Sequence, residues 1–251
     1  MRFAAKSDRG IVRELNEDNY RLITGHANVP DVFVVADGMG GHSSGEVASG
    51  MAVEFAEKYI LDHRELFSNE ESILSTIKEL MENANTVIFT RAAESQSNFG
   101  MGTTFITAVI LKDRLYVGHV GDSRVYLIRD GKIEKVTTDH SYIEELIKNG
   151  SLTREEAENH PKKNVITRAL GCEEKILIDT LTVEIKDNDI FVLCTDGLTN
   201  MLKEDEILDI IIKNDDPEVS CSELVRLANE KGGEDNITVI VVKNSQGRIT
   251  E

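Results

Sequence analysis

Val32-Phe33-Val34-Val35-Ala36 is a short run of β-branched and aromatic side chains that stops abruptly at Asp37-Gly38, with Met39, Gly40, Gly41 and His42 behind it. Such a run reads as a buried strand, and Asp-Gly as its end. Three glycines within four residues (Gly38, Gly40, Gly41) permit a bend that a Cβ would forbid. One carboxylate therefore stands at the C-terminal end of a buried strand, a place better suited to a ligand or a metal than to core packing. The rest of the chain makes sense as a means of bringing further carboxylates to Asp37.

Residues 2–7 and 19–24 read as strands flanking a polar loop, Arg13-Glu14-Leu15-Asn16-Glu17-Asp18. Ser43 with Glu46 makes a capping box for a helix running to about Tyr59, with Val47, Met51, Phe55 and Tyr59 on one stripe. A second long helix is expected over about 70–94, with Ile73, Ile77, Leu80, Ala84, Val87 and Ile88 on its apolar face. Strands follow at 103–111, 114–120 and 124–129, the last joined to 132–136 by a tight Asp130-Gly131 hairpin. Residues 140–171 then change character. They are polar, with a short helix over 141–148 and a Thr153/Glu156 capping box, and read as a mobile surface excursion. Strand patterns return at 176–185 and 190–194. Helices are expected at about 204–213 and 220–231, the second opened by Ser220 with Glu223, before a last strand at 237–242. Short links between strands imply antiparallel pairing, and regular βαβ alternation is missing. The expected fold class is α+β, antiparallel sheets covered by helices, with no domain boundary marked in 1–251.

Lys and Arg total 28 against 45 Asp and Glu, a net charge of −17, which argues against nucleic acid or an anionic membrane as the main partner. The same charge opposes a phosphate-binding role unless bound divalent cations cancel it locally. Cys172, Cys194 and Cys221 are widely spaced and odd in number, so no disulfide framework is expected. Residues 1–6 lead straight into charge without a signal-peptide core, and no apolar run approaches the roughly 20 residues of a membrane span. The chain reads as soluble and cytoplasmic.

Four carboxylates share one context, a strand end or a turn between strands: Asp37, Asp122 in Val-Gly-Asp-Ser-Arg, Asp196 in Thr-Asp-Gly and Asp235 in Glu-Asp-Asn. Glu17-Asp18 adds a fifth acidic site. Oxygen ligands without a Cys or His cluster point to Mg²⁺ or Mn²⁺ rather than zinc. A two-metal site of this kind would activate a bridging water at neutral pH and hold a phosphoryl group for in-line attack. Arg13 beside the first acidic pair could grip phosphate oxygens, and His42 beside Asp37 could protonate a leaving oxygen. No cysteine lies in a phosphate-cradling loop or beside an activating His, which favours direct attack by water over a phosphoenzyme.

Arg-x-x-Asn-Glu-Asp, Ala-Asp-Gly-Met-Gly-Gly-His, Met-Gly-Thr-Thr, Val-Gly-Asp-Ser-Arg, Thr-Arg-Ala-Leu-Gly, Thr-Asp-Gly-Leu and Asp-Asn-Ile-Thr occur in that order between about Phe3 and Val242. Any one is weak; seven in register are specific. Together they resemble the metal-dependent type-2C serine/threonine protein phosphatases in their compact bacterial form. The resemblance implies a four-layer αββα sandwich, two antiparallel sheets flanked by helix pairs, with a flap at about 140–171 beside the active site. It implies Mn²⁺ or Mg²⁺, two per site with a possible third. Asp37 would bridge two ions and the Gly38 carbonyl would bind the first; Asp196 and Asp235 would hold the second. Asp122, with Asp196, would hold the third, and Glu17 and Asp18 would act through water. Arg13 would clamp the phosphate and His42 would be the acid. Phosphoserine and phosphothreonine proteins are the implied substrates, with a serine/threonine protein kinase as the opposing activity.

Simpler readings apply elsewhere. Asp130-Gly131 is a turn without function, Glu204-Asp205-Glu206 is helix N-terminal charge, and Met51 and Met81 are core. His26, His63, His119, His140 and His160 lack a matching motif and read as structural. A non-catalytic phosphoprotein-binding module of the same fold would predict erosion of the acids or of Arg13, and neither is eroded. A narrow-specificity regulatory phosphatase is the remaining alternative. A monomer is expected, because no long unpaired apolar stripe stands out.

Overall fold

The computed structural model describes residues 1–40, 44–94, 98, 100–158 and 160–244. The first half of the chain holds strands β1 (Arg2–Asp8), β2 (Asp18–Ile23), β3 (Asp31–Met39), β4 (Gly102–Thr103), β5 (Phe105–Leu111) and β6 (Arg114–Val120). The second half adds β7 (Arg124–Arg129), β8 (Lys132–Lys135), β9 (Asp179–Glu184), β10 (Ile190–Cys194) and β11 (Ile237–Lys243). They form two sheets, one ordered β1-β11-β10-β7-β8 and the other β2-β3-β5-β6-β9, with β4 paired to the end of β3. Every strand pair is antiparallel.

Helices α1 (Ser44–Asp62), α2 (Arg64–Phe67) and α3 (Ile73–Glu94) serve the second sheet, α1 packing on β3 and α3 on β6. Helices α4 (Tyr142–Lys148) and α5 (Arg154–Glu158) lie between β8 and β9. Helices α6 (Asp196–Thr199), α7 (Glu204–Lys213) and α8 (Pro217–Glu230) serve the first sheet, α8 against β1 and β11. The two-sheet, helix-flanked α+β architecture is the one that the resemblance implies.

Three apolar layers follow from strand alternation. Val32 and Val34 of β3 meet α1 and α3, beside Ala52, Ile77 and Leu80. Phe33 and Val35 point the other way, into the space between the sheets with Ile106, Leu193 and Ile240. Val192, Val239 and Val241 face α7 and α8 through Ile207 and Leu224. Burial on both faces explains the unbroken apolar run of β3. Asp37 continues the Phe33–Val35 parity and emerges at the end of the inter-sheet gap. The Asp130-Gly131 hairpin forms with both residues at positive φ, 52° and 73°, the geometry of a tight two-residue turn.

Several local expectations are corrected. The buried stripe of α1 is Ala48, Ala52, Ala56 and Ile60, whereas Val47 is exposed and Met51 and Phe55 are half-buried at its edge. Small residues let this helix lie close to the sheet, and of the expected stripe Tyr59 alone is buried, with the bulkier side chains before it turned toward the edge. Helix α3 starts at Ile73 and leaves Val87 exposed. Helix α8 starts at Pro217, not Ser220: Asp216 caps it by accepting from the Glu218 amide at 3.0 Å, and Pro217 needs no amide partner at the first turn. Ser220 is buried inside the helix, donating back to the Asp216 carbonyl. The strand expected at 176–185 is confined to Asp179–Glu184. The Ser43/Glu46 capping box lies outside the described residues, since Ser43 is not among them. Segment 140–171 is anchored at both ends, where Ser141 bridges Ile166 and Leu170 bridges Thr103, with Ile143 and Leu170 buried.

Candidate active site

Strand register brings the first two acids together: Asp18 of β2 stands directly opposite Asp37 of β3. The Asp18 carboxylate crosses to the other sheet, accepting from Thr195 Oγ1 at 2.9 Å through its Oδ2. Its Oδ1 is buried without a hydrogen-bond partner in the protein. Around Asp37 the backbone is fixed by Thr103 and Thr104. The Asp37 amide donates to Thr104 Oγ1 at 3.0 Å, and its carbonyl accepts from the Thr104 amide and Thr103 Oγ1, both at 2.9 Å.

Gly38 lies so close to the first turn of α1 that a Cβ would collide with the Gly45 carbonyl. Its amide donates to the Glu17 carbonyl at 3.1 Å, and the Gly45 amide donates to Glu17 Oε1 at 3.1 Å. The start of α1 is thus sealed against the Asp37–Gly38 turn through Glu17.

On the other sheet, Asp196 opens α6 directly after β10, and its Oδ2 accepts from Asn200 Nδ2 at 3.0 Å. Asp235 precedes β11 and pairs with Arg13, whose Nη2 donates to Asp235 Oδ2 at 2.8 Å. Asn236 holds the Arg13 loop down: its Oδ1 accepts the Glu17 amide, and its Nδ2 donates to the carbonyls of Arg9 and Leu15. Asp122 sits in the turn between β6 and β7, next to Ser123, whose Oγ is 2.8 Å from Thr104 Oγ1. Arg124, after the turn, forms a bidentate pair with Asp139.

Asp37, Asp122, Asp196 and Asp235 line one cleft of about 280 Å³ together with Glu17 and Arg13. Asn164 and Ile166 of the 140–171 segment close one side of it. An adjoining hollow of about 400 Å³ shares Met39 and Ile166, but its described wall is largely apolar (Ala169, Cys172, Ile176, Leu177) and offers Glu173 as its carboxylate. The converging acids assign the chemistry to the smaller cleft.

Crowding shows in the titration of the acids. Burial, then repulsion from Asp196 and Asp235, pushes Asp18 up to about 7. Burial, then Asp18, Asp196 and Asp122, raises Asp37 well above the usual carboxylate range. Burial and Asp196 push Asp122 up to about 7, and burial and Asp235 raise Asp196. Like charges held this close call for a cation or a proton. Hard oxygen donors, the mutual repulsion and the orphaned Asp18 Oδ1 fit Mg²⁺ or Mn²⁺ with coordinated water. Among the described residues no three His, Cys, Asp or Glu side chains stand in ready coordinating geometry.

The expected site residues Arg13, Glu17, Asp18, Asp37, Gly38, Asp122, Asp196 and Asp235 are therefore gathered at one end of the sandwich. His42 lies outside the described residues. Sequence reasoning gave no role to Thr104, Thr195, Asn200 or Asn236, which fix the acids. Thr104, Thr195 and Asn236 fall inside motifs it did single out.

A family model for protein phosphatase 2C matches residues 11–227. The serine/threonine phosphatase stp of Listeria welshimeri is 39% identical over 240 residues, 96% of this chain and 94% of that protein. The crystal structure of the Mycobacterium tuberculosis serine/threonine phosphatase PstP/Ppp superposes with a TM-score of 0.85 at 33% identity, covering 98% of this chain and 99% of that one. A structure of the catalytic domain of the serine/threonine protein phosphatase PstP in complex with 2 manganese ions gives 0.82 at 33% identity, with 96% of both chains covered. With the family match, the sequence identity and the superposed fold extending over nearly its whole length, the chain belongs to the protein phosphatase 2C family.

Proposed function

We propose that this protein hydrolyses phosphoserine and phosphothreonine on proteins with Mn²⁺ or Mg²⁺, by direct attack of water and without a phosphoenzyme. The observation that carries the reading is the convergence of Asp37, Asp122, Asp196 and Asp235 with Arg13 on one cleft. Asp37 and the Gly38 carbonyl would hold one ion, with Asp37 shared by a second that Asp196 and Asp235 complete. Asp122 and Asp196 would hold a third, and Glu17 and Asp18 would orient coordinated water. When bound, the ions supply an activated water at neutral pH and neutralise the incoming phosphoryl group.

The chain's own residues supply orientation. Thr104 fixes the Asp37 backbone, Thr195 ties Asp18 across the sheets, and Arg13 reaches the mouth of the cleft, where it can grip phosphate oxygens bidentately. His42 is the proposed acid for the leaving oxygen. The absence of a phosphoenzyme is supported by the cysteines: burial pushes the thiols of Cys194 and Cys221 up to about 12, far from a nucleophilic thiolate. The opposing activity would be a serine/threonine kinase, and the site of action the cytoplasm, with the protein working as a monomer. Among the described residues no helix is long and apolar enough to cross a membrane.

The test is hydrolysis of p-nitrophenyl phosphate and a phosphothreonine peptide with Mn²⁺, Mg²⁺ or EDTA. Turnover that needs metal and spares phosphotyrosine is expected. A folded, metal-binding protein without turnover in any metal would favour a phosphoprotein-binding module, and turnover on one regulatory partner alone a narrow phosphatase.

A further inference from the structure

We propose that His140 is a positioning residue of this site, fastening the turn that carries Asp122 to both ends of the 140–171 segment; the inference rests on the phosphatase reading above. His140 is buried, 5% exposed, and all its polar groups are engaged. The Gly121 amide donates to His140 Nδ1 at 3.1 Å, and the His140 amide donates back to the Gly121 carbonyl at 2.8 Å. Gly121 immediately precedes Asp122. Its φ of +107° suits glycine, and a Cβ there would stand 2.5 Å from Thr104 side-chain atoms. The turn is thus clamped between Thr104, which also fixes Asp37, and the imidazole.

The opposite side of His140 holds the segment. Its carbonyl accepts from the Thr167 amide at 2.8 Å, three residues before the segment returns to β4 through Leu170 and one after Ile166, which lines the cleft. Because Nδ1 accepts the Gly121 N–H, the ring proton sits on Nε2, which faces Asp179 Oδ2 at 3.1 Å. Arg168 Nη1 also lies 3.2 Å from Nε2, but a protonated Nε2 cannot accept from it. Its donation goes to Asp179 Oδ1 at 3.0 Å. One imidazole therefore carries two separable arms, Nδ1 toward Asp122 and Nε2 toward Asp179, Arg168 and the cleft wall.

Isosteric variants separate the arms. In His140→Asn the amide oxygen replaces Nδ1 and the Asp179 contact is lost; in His140→Gln the amide reaches the Nε2 position and the Gly121 acceptor is lost. Asp179→Ala cuts the second arm at a half-exposed residue. Chelator-stripped proteins are titrated with Mn²⁺ by calorimetry, and kcat and KM are measured on a phosphothreonine peptide and on p-nitrophenyl phosphate. His140→Gln is expected to weaken the weakest Mn²⁺ site by about 10-fold or more, the range for outer partners of metal ligands, whereas His140→Asn holds it near wild type. His140→Asn and Asp179→Ala are expected to raise KM for the peptide and not for p-nitrophenyl phosphate. Unchanged Mn²⁺ binding in folded His140→Gln, or a uniform loss across all variants, metals and substrates, would overturn the assignment. Wild-type protein inactive on both substrates would overturn the phosphatase reading itself.

Discussion

Arg13 Nη2 donates to Asp235 Oδ2 at 2.8 Å, so the guanidinium expected to hold phosphate is paired with a carboxylate expected to hold metal. Both are accessible, Arg13 at 49% and Asp235 at 30% of the side-chain surface, so the pair adds little stability and can part at small cost. Arg13→Ala is expected to melt within about 0.5 kcal/mol of wild type. Its kcat/KM on a phosphopeptide should fall about 10- to 100-fold, the worth of a charge-assisted bidentate contact. Arg13→Lys should recover only part of this, because an ammonium cannot make the fork. Side-by-side melting curves and peptide kinetics check it; an Arg13→Ala enzyme with normal kcat/KM would remove Arg13 from the site.

Asp37 and Asp196 should show opposite effects on activity and on the stability of the metal-free protein. Asp37→Asn or Asp196→Asn takes one charge from a buried, mutually repelling set. Turnover is expected to fall about a thousandfold or more, since several kcal/mol of charge stabilisation goes with the ion. The metal-stripped variants should nevertheless melt above metal-stripped wild type at pH 8, where the native carboxylates repel most. Variants that lose activity and also melt lower would mean that the acids serve the fold.

The same groups set a pH dependence. Folding raises Asp18 and Asp122 to about 7 and raises Asp37 well above its ordinary value, whereas in the unfolded chain such groups titrate near 4. Between about pH 4 and 7 the folded form binds more protons than the unfolded one. The associated stability is complete below about pH 4 and is lost as pH rises through about 7. Metal-stripped protein should therefore melt lower at pH 8 than at pH 5.5. The gain on adding Mn²⁺ should grow over the same interval, because the ion replaces the protons. Scanning calorimetry of stripped and loaded protein tests this; a Mn²⁺ gain independent of pH would place the ion elsewhere.

The acids were legible in the sequence because each stands in a local context, a strand end or a turn, that a short stretch reveals. β3 was legible for the same reason: Val32 to Ala36 are apolar on both faces, and both faces are buried. What failed were choices between two local signals. Helix α1 carries two apolar stripes, and bulk favoured Val47, Met51 and Phe55 where close packing selects Ala48, Ala52 and Ala56. At α8 the Ser220/Glu223 pair masked the stronger Asp216-Pro217 start. The polar residues that position the acids were not legible, because their partners are remote. Thr195 meets Asp18 across 177 positions and Asn236 meets Glu17 across 219, separations that only the closing of the two sheets makes meaningful.

Asn236 offers the sharpest test of that remote support. It is 5% exposed, and its one amide accepts from Glu17 N at 2.8 Å and donates to Arg9 O and Leu15 O at 2.9 and 2.8 Å. Asn236→Ala leaves one donor and two acceptors without partners beneath a loop whose residues 11–15 are exposed, at about 1–3 kcal/mol for each group that water cannot reach. A total near 2–5 kcal/mol corresponds to a melting point lower by about 5–15 °C for a chain of this size. The Arg13 loop is released by the same change, so KM for a phosphopeptide should rise with it. Asn236→Asp keeps the acceptor for Glu17 N, loses both donors and adds a charge beside Asp235; it should lie no higher in stability than the alanine variant. Melting within about 1 °C of wild type for Asn236→Ala would mean that the loop around Arg13 is held by Gly233, whose carbonyl accepts the Ile11 amide at 2.8 Å, and that Asn236 is dispensable to it.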